Sequence, residues 1–306
     1  MSHEHNHHHE INNYNRSFAI GITLNILFVI IEVFYGLYAD SLALIADAGH
    51  NLSDVLSLIL AWGASYLATK HPTLKRTYGL RKVTIMASLL SAILLLVALG
   101  AIAWESIERL SDPQAVNGTV IIIVAAIGVV INTATALLFV KGQKHDLNIR
   151  AAYLHMAADA AISLGVVIAG IAIILTGWLW LDPLLSLMIV IVILMGTWGL
   201  LRDSINLSID AVPQNIELSE IKSYLLSHET ISDLHDLHIW ALSTTEVALT
   251  VHLVSTQTSH HNTILEEIQK HLYHHFNISH ATIQIEEQDD DYICVLNREE
   301  CHISQI

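Results

Sequence analysis

The sequence predicts a polytopic α-helical membrane protein with a small cytosolic α+β domain at its C-terminal end. Hydrophobic residues make up 53% of the 306 residues and charged residues only 14%, which is too apolar for an ordinary soluble domain. Long apolar runs fill the first two thirds of the chain, and after about residue 203 shorter amphipathic segments replace them. That last third also carries 17 of the 29 acidic residues.

Six apolar runs are each long enough to cross a hydrocarbon core of ~30 Å, which takes about 20 helical residues. We expect them to form a six-helix transmembrane domain at 17–203. Trp178 and Trp180, between the last two runs, are typical of a membrane interface. The runs lie at 17–38, 41–68, 82–107, 118–140, 150–176 and 182–201.

The loops between these runs differ sharply in positive charge. Ten Lys and Arg residues fall on one side of the predicted membrane domain, and only Arg109 falls on the other. Because cytoplasmic loops are enriched in Lys and Arg, both termini are predicted to be cytoplasmic. Residues 1–16 form a histidine-rich arm that lacks the basic n-region of a cleavable signal. Its composition is typical of a disordered segment that collects metal.

The C-terminal part of the chain is predicted to form one domain at 209–288, followed by an exposed extension at 289–306. Its order α-β-β-α-β indicates a small α+β sandwich. With three basic residues after position 203, this acidic domain would repel nucleic acid and attract cations. The predicted elements are a helix at 216–228, strands at 235–242 and 247–255, a helix at 258–276 and a strand at 281–287.

Two of the apolar runs carry ionisable residues in a repeated pattern. His50 and Asp54 are four positions apart, and so are His155 and Asp159. This spacing puts both members of a pair on one face of a helix, and charge at bilayer depth is costly enough to indicate function. Two imidazoles and two carboxylates supply the four ligands of a tetrahedral divalent cation. We therefore predict one intramembrane metal site formed by these four side chains.

The donor set favours Zn²⁺, because it offers imidazole nitrogen and carboxylate oxygen without a thiolate. Cobalt, nickel and iron fit the same donors. Asp47, three residues before His50, is expected either to orient that histidine or to handle protons. Asn25, Glu32 and Asn132 are expected to hydrogen bond between helices.

Motifs in both predicted domains follow one another in the order of a known family. Over residues 17–287 the chain resembles the cation diffusion facilitators, a family of six-helix zinc exporters with a cytosolic metallochaperone-like domain. The motifs that carry the resemblance are Asp40-Ser41-Leu42-Ala43-Leu44 leading to Asp47-Ala48-Gly49-His50 and Asp54; Tyr78-Gly79-Leu80-Arg81-Lys82; His155-Met156-Ala157-Ala158-Asp159; and His235-Asp236-Leu237-His238-Ile239-Trp240 with Thr282-Ile283-Gln284-Ile285-Glu286.

The resemblance implies an efflux transporter rather than an enzyme. His and Asp on both metal-binding helices imply a preference for zinc over cadmium. The resemblance also implies a regulatory zinc site near His235, His252 and Glu286, and a homodimer in a bacterial inner membrane. His238 would share the strand face of Asp236 only if the register slips.

Two loops depart from the family pattern. The loop between the fourth and fifth helices, often rich in histidine in the family, has only His145, and the loop between the second and third has only His71. The histidine-rich N-terminal arm is a candidate replacement for the histidine-rich loop between the fourth and fifth helices. Two alternatives stay open: further ligands from the histidines between 260 and 280, and a thiolate site in which Cys294, Cys301 and His302 meet the arm of a neighbouring subunit.

The chemistry of the intramembrane site predicts a metal/proton antiporter that works from the cytoplasm. Metal binding needs deprotonated ligands, so protons and metal compete for the same atoms, and histidine exchanges protons near neutral pH. The alternative is a membrane-anchored metal sensor or buffer without flux. A metalloenzyme is disfavoured because the apolar runs contain no His-Glu-x-x-His pattern and no spare general base beside the site.

Overall fold

The computed structural model of the chain describes residues 14–140, 147–256 and 261–287, with side chains from residue 23 onward except at positions 58, 147–149, 151–152 and 261. Most of the predicted N-terminal arm lies outside the described residues. So do His145 and the extension that carries Cys294, Cys301 and His302.

Six long helices coincide with the six predicted apolar runs. Five of them, α2 to α6, contain stretches long and apolar enough to cross a membrane, and the part of α1 with described side chains, Thr23–Ala39, is apolar but shorter. The prediction of a helical membrane domain followed by an α+β domain is confirmed. The helices are α1 (Tyr14–Ala39), α2 (Leu42–Ala68), α3 (Val83–Ser111), α4 (Gly118–Phe139), α5 (Leu147–Thr176) and α6 (Leu181–Ser208).

The end of α6 is the largest difference between the predicted runs and the helices. The apolar run stops at 201, whereas the helix continues to Ser208. Hydropathy marks the depth at which side chains meet lipid, while the backbone hydrogen bonds of a helix continue into polar sequence.

The turn between α1 and α2 is held by side chains from two other helices. Asp40 takes a left-handed backbone conformation with φ of 53°, and Arg109 of α3 donates to its carbonyl and to its carboxylate, both at 2.9 Å. The carboxylate of Asp182, in the first turn of α6, accepts hydrogen bonds from Ser41 Oγ and from the Leu42 amide at 2.8 Å. Asp182 therefore caps the N-terminus of α2, whose first amides have no partner within the helix.

One compact unit comprises the described residues up to 59 and residues 93–198. Its core includes Phe28 of α1, Leu44 of α2 and Val166 of α5, all fully buried. Large apolar side chains also cover its outside, for example Leu175 at 79% exposure and Met195 at 76%. Apolar surface on this scale is costly in water and is matched by lipid.

Helices α4 and α5 approach each other closely at two glycines. A Cβ atom built at Gly170 would lie 2.8 Å from Cγ1 of Ile122, and one at Gly118 would lie 2.8 Å from Cγ1 of Ile174. Small residues let transmembrane backbones come together. These contacts fix the position of α5, which carries half of the predicted metal ligands.

The second unit comprises residues 60–92 and the described residues from 199 onward. It includes a three-stranded sheet in the order β1-β2-β3, in which β1 and β2 are antiparallel and β2 and β3 are parallel. The helix before β3 supplies the crossover that a parallel pair requires. The elements are α7 (Leu218–Leu226), β1 (Ile231–Ala241), β2 (Val247–Ser255), α8 (His261–Phe276) and β3 (Ile278–Glu287).

Each element of this domain was predicted in the correct order, but two strands begin earlier than predicted. β1 starts at Ile231 rather than 235, because Ile231 pairs with Ser255 of β2. β3 starts at Ile278 rather than 281, because Ile278 pairs with Val247. Both extensions depend on a partner strand, and alternation within a single strand does not reveal the partner.

Candidate metal centre

The two His-Asp pairs lie on neighbouring helices of the first unit. His50 and Asp54 stand one turn apart on α2, and His155 and Asp159 stand one turn apart on α5. Residues at this spacing lie above one another on a helix. Each helix therefore presents an imidazole and a carboxylate together.

The structure brings the four side chains into one cluster. His155 Nε2 lies 3.1 Å from Asp54 Oδ2 and 3.7 Å from Asp159 Oδ2. His50 Nε2 lies 3.4 Å from Asp159 Oδ1 and 3.8 Å from Asp54 Oδ2. Ligands at 2.0–2.1 Å from a tetrahedral zinc ion are separated by about 3.3 Å. The cluster thus has nearly the dimensions of such a site.

The four residues differ in how completely they meet that geometry. His50, His155 and Asp159 each offer a ligand atom within 4.8 Å of the other two, and Asp54 reaches both imidazoles. Asp159 is 1% exposed, while His155 is 41% exposed. The cluster is closed on the Asp159 side and accessible on the His155 side.

On the buried side of the cluster, several polar atoms lack the hydrogen bonds that buried polar atoms usually make. Both carboxylate oxygens of Asp159 and the Nδ1 atom of His50 are buried without a hydrogen-bond partner among the described residues. Buried acceptors of this kind are rare and costly. A cation between the helices would satisfy the Asp159 oxygens.

Asp47 was expected either to orient His50 or to handle protons, and its contacts do not fit the first of these roles. Its Oδ2 accepts a hydrogen bond from Ser163 of α5 at 3.1 Å, and no described residue hydrogen bonds to His50 Nδ1. Asp47 therefore does not orient His50 by a direct hydrogen bond. Glu32 links α1 to α2 as expected of an inter-helix hydrogen-bonding residue, because it accepts from Asn51 Nδ2 at 3.2 Å.

A second group of candidate ligands lies on the three strands of the soluble domain. His235 of β1 pairs in register with His252 of β2. His252 Nδ1 lies 2.9 Å from Glu286 Oε1, and His235 Nε2 lies 3.5 Å from Glu286 Oε2. Their ligand atoms all fall within 4.8 Å of one another, and His235 Nε2 is buried without a hydrogen bond to any residue that the structure describes.

Asp236 joins this group although the sequence pattern did not single it out. The pairing of β1 with β2 is irregular between His235 and His238, and Asp236 has a left-handed φ of 53°. Its Oδ2 lies 3.8 Å from His252 Nε2, and its Oδ1 lies 2.8 Å from His238 Nε2. His238 is two residues from Asp236, and residues at that spacing share a face even in a regular strand, so the expectation that this contact needs a register slip was wrong. The irregularity instead accounts for the approach of Asp236 to His252. Simple alternation would have sent Asp236 to the face opposite His235.

Several other described histidines of the soluble domain make aromatic contacts. His271 stacks on Tyr224 with ring centroids 3.7 Å apart and on His275 at 4.1 Å. Partial burial and the neighbouring His275 lower the pKa of His271 below its usual value. Among the described residues only the two groups above bring three candidate ligands together. His71 is exposed and belongs to neither group.

Two family profiles together match most of the chain. Residues 18–207 match the profile described as "Cation efflux transmembrane domain". Residues 213–288 match the one described as "Cation efflux protein, cytoplasmic domain".

Individual relatives agree with these profiles. The zinc transporter ZitB of Shigella flexneri is 34% identical, with 100% of this chain and 97% of the relative covered. The "Cadmium, cobalt and zinc/H(+)-K(+) antiporter" of Bacillus subtilis is 38% identical, with 85% of each chain covered. A solved structure, the metal-bound C-terminal domain of the CzcD transporter from Cupriavidus metallidurans, is 37% identical. It covers 23% of this chain and 99% of that chain, with a TM-score of 0.22.

Proposed function

The chain belongs to the cation efflux family of divalent-metal transporters, and we propose that it exports Zn²⁺ from the cytoplasm in exchange for protons. The observation that carries the proposal is the cluster of His50, Asp54, His155 and Asp159 on α2 and α5. Relatives named as zinc transporters support the choice of metal. The imidazole and carboxylate donors suit zinc.

Proton exchange follows from the contacts that the four ligands make with one another. His155 Nε2 and Asp54 Oδ2 are within hydrogen-bond distance, so a proton between them occupies the atoms that a metal would bind. Zinc entering the cluster must displace such protons, and protons arriving from the other side can displace zinc. A relative named as a zinc/H(+)-K(+) antiporter supports this coupling.

The direction of transport rests on the distribution of charged loops. The ten-to-one excess of Lys and Arg on one side supports cytoplasmic termini. With that orientation the soluble domain at 209–288 faces the cytoplasm, as the description of its family profile also indicates. A bacterial inner membrane is the location that we propose.

The soluble domain is proposed to sense cytosolic zinc and to dimerise. His235, His252 and Glu286 supply nitrogen and oxygen donors on three adjacent strands. The domain is acidic, so two copies repel each other, and a bound cation would offset that repulsion. Zinc bound here would favour the dimer through linkage.

The transport site is tested by removing one carboxylate at a time. We expect Asp54→Ala and Asp159→Ala to lower zinc flux into proteoliposomes by at least about 10-fold, since losing a metal ligand or its support typically costs that much. Flux is followed with a zinc-sensitive dye after a pH step. Asp112→Ala, an exposed carboxylate outside the cluster, is the matched control. Near-normal flux in both cluster variants would refute the assignment.

A further inference from the structure

A second polar group lies buried beside the metal cluster in the same unit. It consists of Glu32 of α1, Asp47 and Asn51 of α2, and Ser163 of α5, and all four are fully buried. Asn51 Nδ2 donates to Glu32 Oε2 at 3.2 Å, and Ser163 Oγ donates to Asp47 Oδ2 at 3.1 Å. These hydrogen bonds satisfy one oxygen of each carboxyl group.

The other oxygen of each carboxyl group lacks a hydrogen-bond donor. Glu32 Oε1 and Asp47 Oδ1 are buried without a donor among the described residues. Asn51, which binds Glu32, stands one helical turn after Asp47 on the same face of α2, so the two carboxyl groups lie side by side. Carboxylate oxygens are acceptors only, so a hydrogen bond between two carboxyls requires a proton on one of them.

In the described part of the chain, no Lys or Arg neutralises this pair. None of the ion pairs formed within the described residues joins a Lys or Arg to Glu32 or Asp47. Two ionised carboxylates at bilayer depth would be very costly. Adjacent carboxyl groups elsewhere in proteins resolve the same conflict by sharing one proton.

We propose that Glu32 and Asp47 form a proton-binding site, separate from the metal ligands, that holds one shared proton while the transport site is empty and releases it when metal binds. The inference rests on the proposed function and adds a proton to those displaced from the metal ligands. Its ligand is a proton, and its binding atoms are Glu32 Oε1 and Asp47 Oδ1.

Electrostatic coupling to the metal cluster gives the mechanism of release. Asn51 and Ser163 donate hydrogen bonds to the pair. His50 stands three residues after Asp47 on α2, and Asp159 stands four residues before Ser163 on α5, so each lies about one helical turn from the pair or its hydrogen-bond donor. A divalent cation bound between Asp159 and His50 would add positive charge beside the pair and disfavour the shared proton.

The test counts protons moved per zinc ion by the full chain in proteoliposomes, with zinc and pH dyes read together. Glu32→Gln keeps the size of the side chain, and its amide can donate to Asp47 without a titrating proton. We expect Glu32→Gln, and likewise Asp47→Asn, to lower the ratio by about one proton per zinc ion. Ser106→Ala removes a buried hydrogen bond to Ser186 in the same unit and should leave the ratio unchanged.

Two readouts keep the inference separate from the antiport itself. In detergent, calorimetry in two buffers of different ionisation enthalpy counts the protons released when zinc binds, and Glu32→Gln should release about one fewer. In the wild-type protein, infrared difference spectroscopy should show loss of a protonated carboxyl band when zinc is added. The inference is overturned if the variants keep the wild-type proton counts, or if that band is unchanged. If the wild-type protein moves zinc without protons, the antiport fails, and the detergent measurements still decide whether the pair binds a proton.

Discussion

Asp236 shows how much one residue's role can depend on a local irregularity of the backbone. In a regular strand its side chain would point away from His235. The left-handed φ of 53° and the shifted register turn it toward His252 instead. Asp236 thereby becomes a fourth candidate ligand beside His235, His252 and Glu286.

We expect Asp236→Ala to weaken zinc binding by the soluble domain by about 10- to 100-fold, the usual cost of losing a ligand or a group that orients one. The measurement is competition with a chromogenic chelator. It is made in the Asp54→Ala background so that the proposed transport site is impaired. Asp233→Ala, an exposed residue of the same strand, is the control. Unchanged affinity in Asp236→Ala would mean that His235, His252 and Glu286 form the complete ligand set.

At the scale of elements, the metal cluster depends on how closely helices pack around α5. Gly128 of α4 lies where a Cβ atom would come within 2.6 Å of Phe28 Cζ on α1 and 3.0 Å of Ser163 Oγ on α5. Ser163 in turn donates to Asp47. The absence of a side chain at Gly128 therefore lets three helices meet beside the acid pair.

Gly128→Ala is expected to lower the thermal midpoint of the detergent-solubilised protein, because overpacking of this kind costs about 1–3 kcal/mol. Zinc flux should fall as well, since the shift would displace Ser163 from Asp47. Gly165→Ala on α5 is the matched control, because a Cβ there meets nothing within 4 Å. In a helix interior alanine is otherwise favoured over glycine. Equal thermal midpoints for Gly128→Ala and Gly165→Ala would contradict the prediction, because they would show that Phe28 moves aside without a loss of stability.

At the scale of the whole molecule, charge is distributed as unevenly as hydrophobicity. The chain has a formal net charge of −15, and 17 of its 29 acidic residues follow position 202. Two acidic domains brought side by side repel each other over a distance set by the ionic strength. A dimer of this protein is therefore expected to depend on cations.

Zinc should accordingly raise the dimer fraction measured by sedimentation of the full chain in detergent, relative to the same sample with chelator. Glu286→Ala should reduce that effect, because it removes the carboxylate that lies against both His235 and His252. The difference between zinc and chelator should also shrink at high salt, where repulsion is screened. Sedimentation that is identical with zinc and with chelator at every protein concentration would contradict cation-dependent dimerisation.

The sequence by itself determined the membrane class, the six apolar helices, the order of the soluble domain and the two His-Asp pairs. All of these follow from local rules, namely apolar length, alternation and the four-residue spacing that places side chains on one helical face. Which side chains contact one another across helices and strands was decided only by the tertiary structure. It joined Asp47 to Ser163 rather than to His50, and it turned Asp236 toward His252. Those contacts connect different helices or strands, and the choice among them depends on packing and backbone irregularity, which no local pattern records.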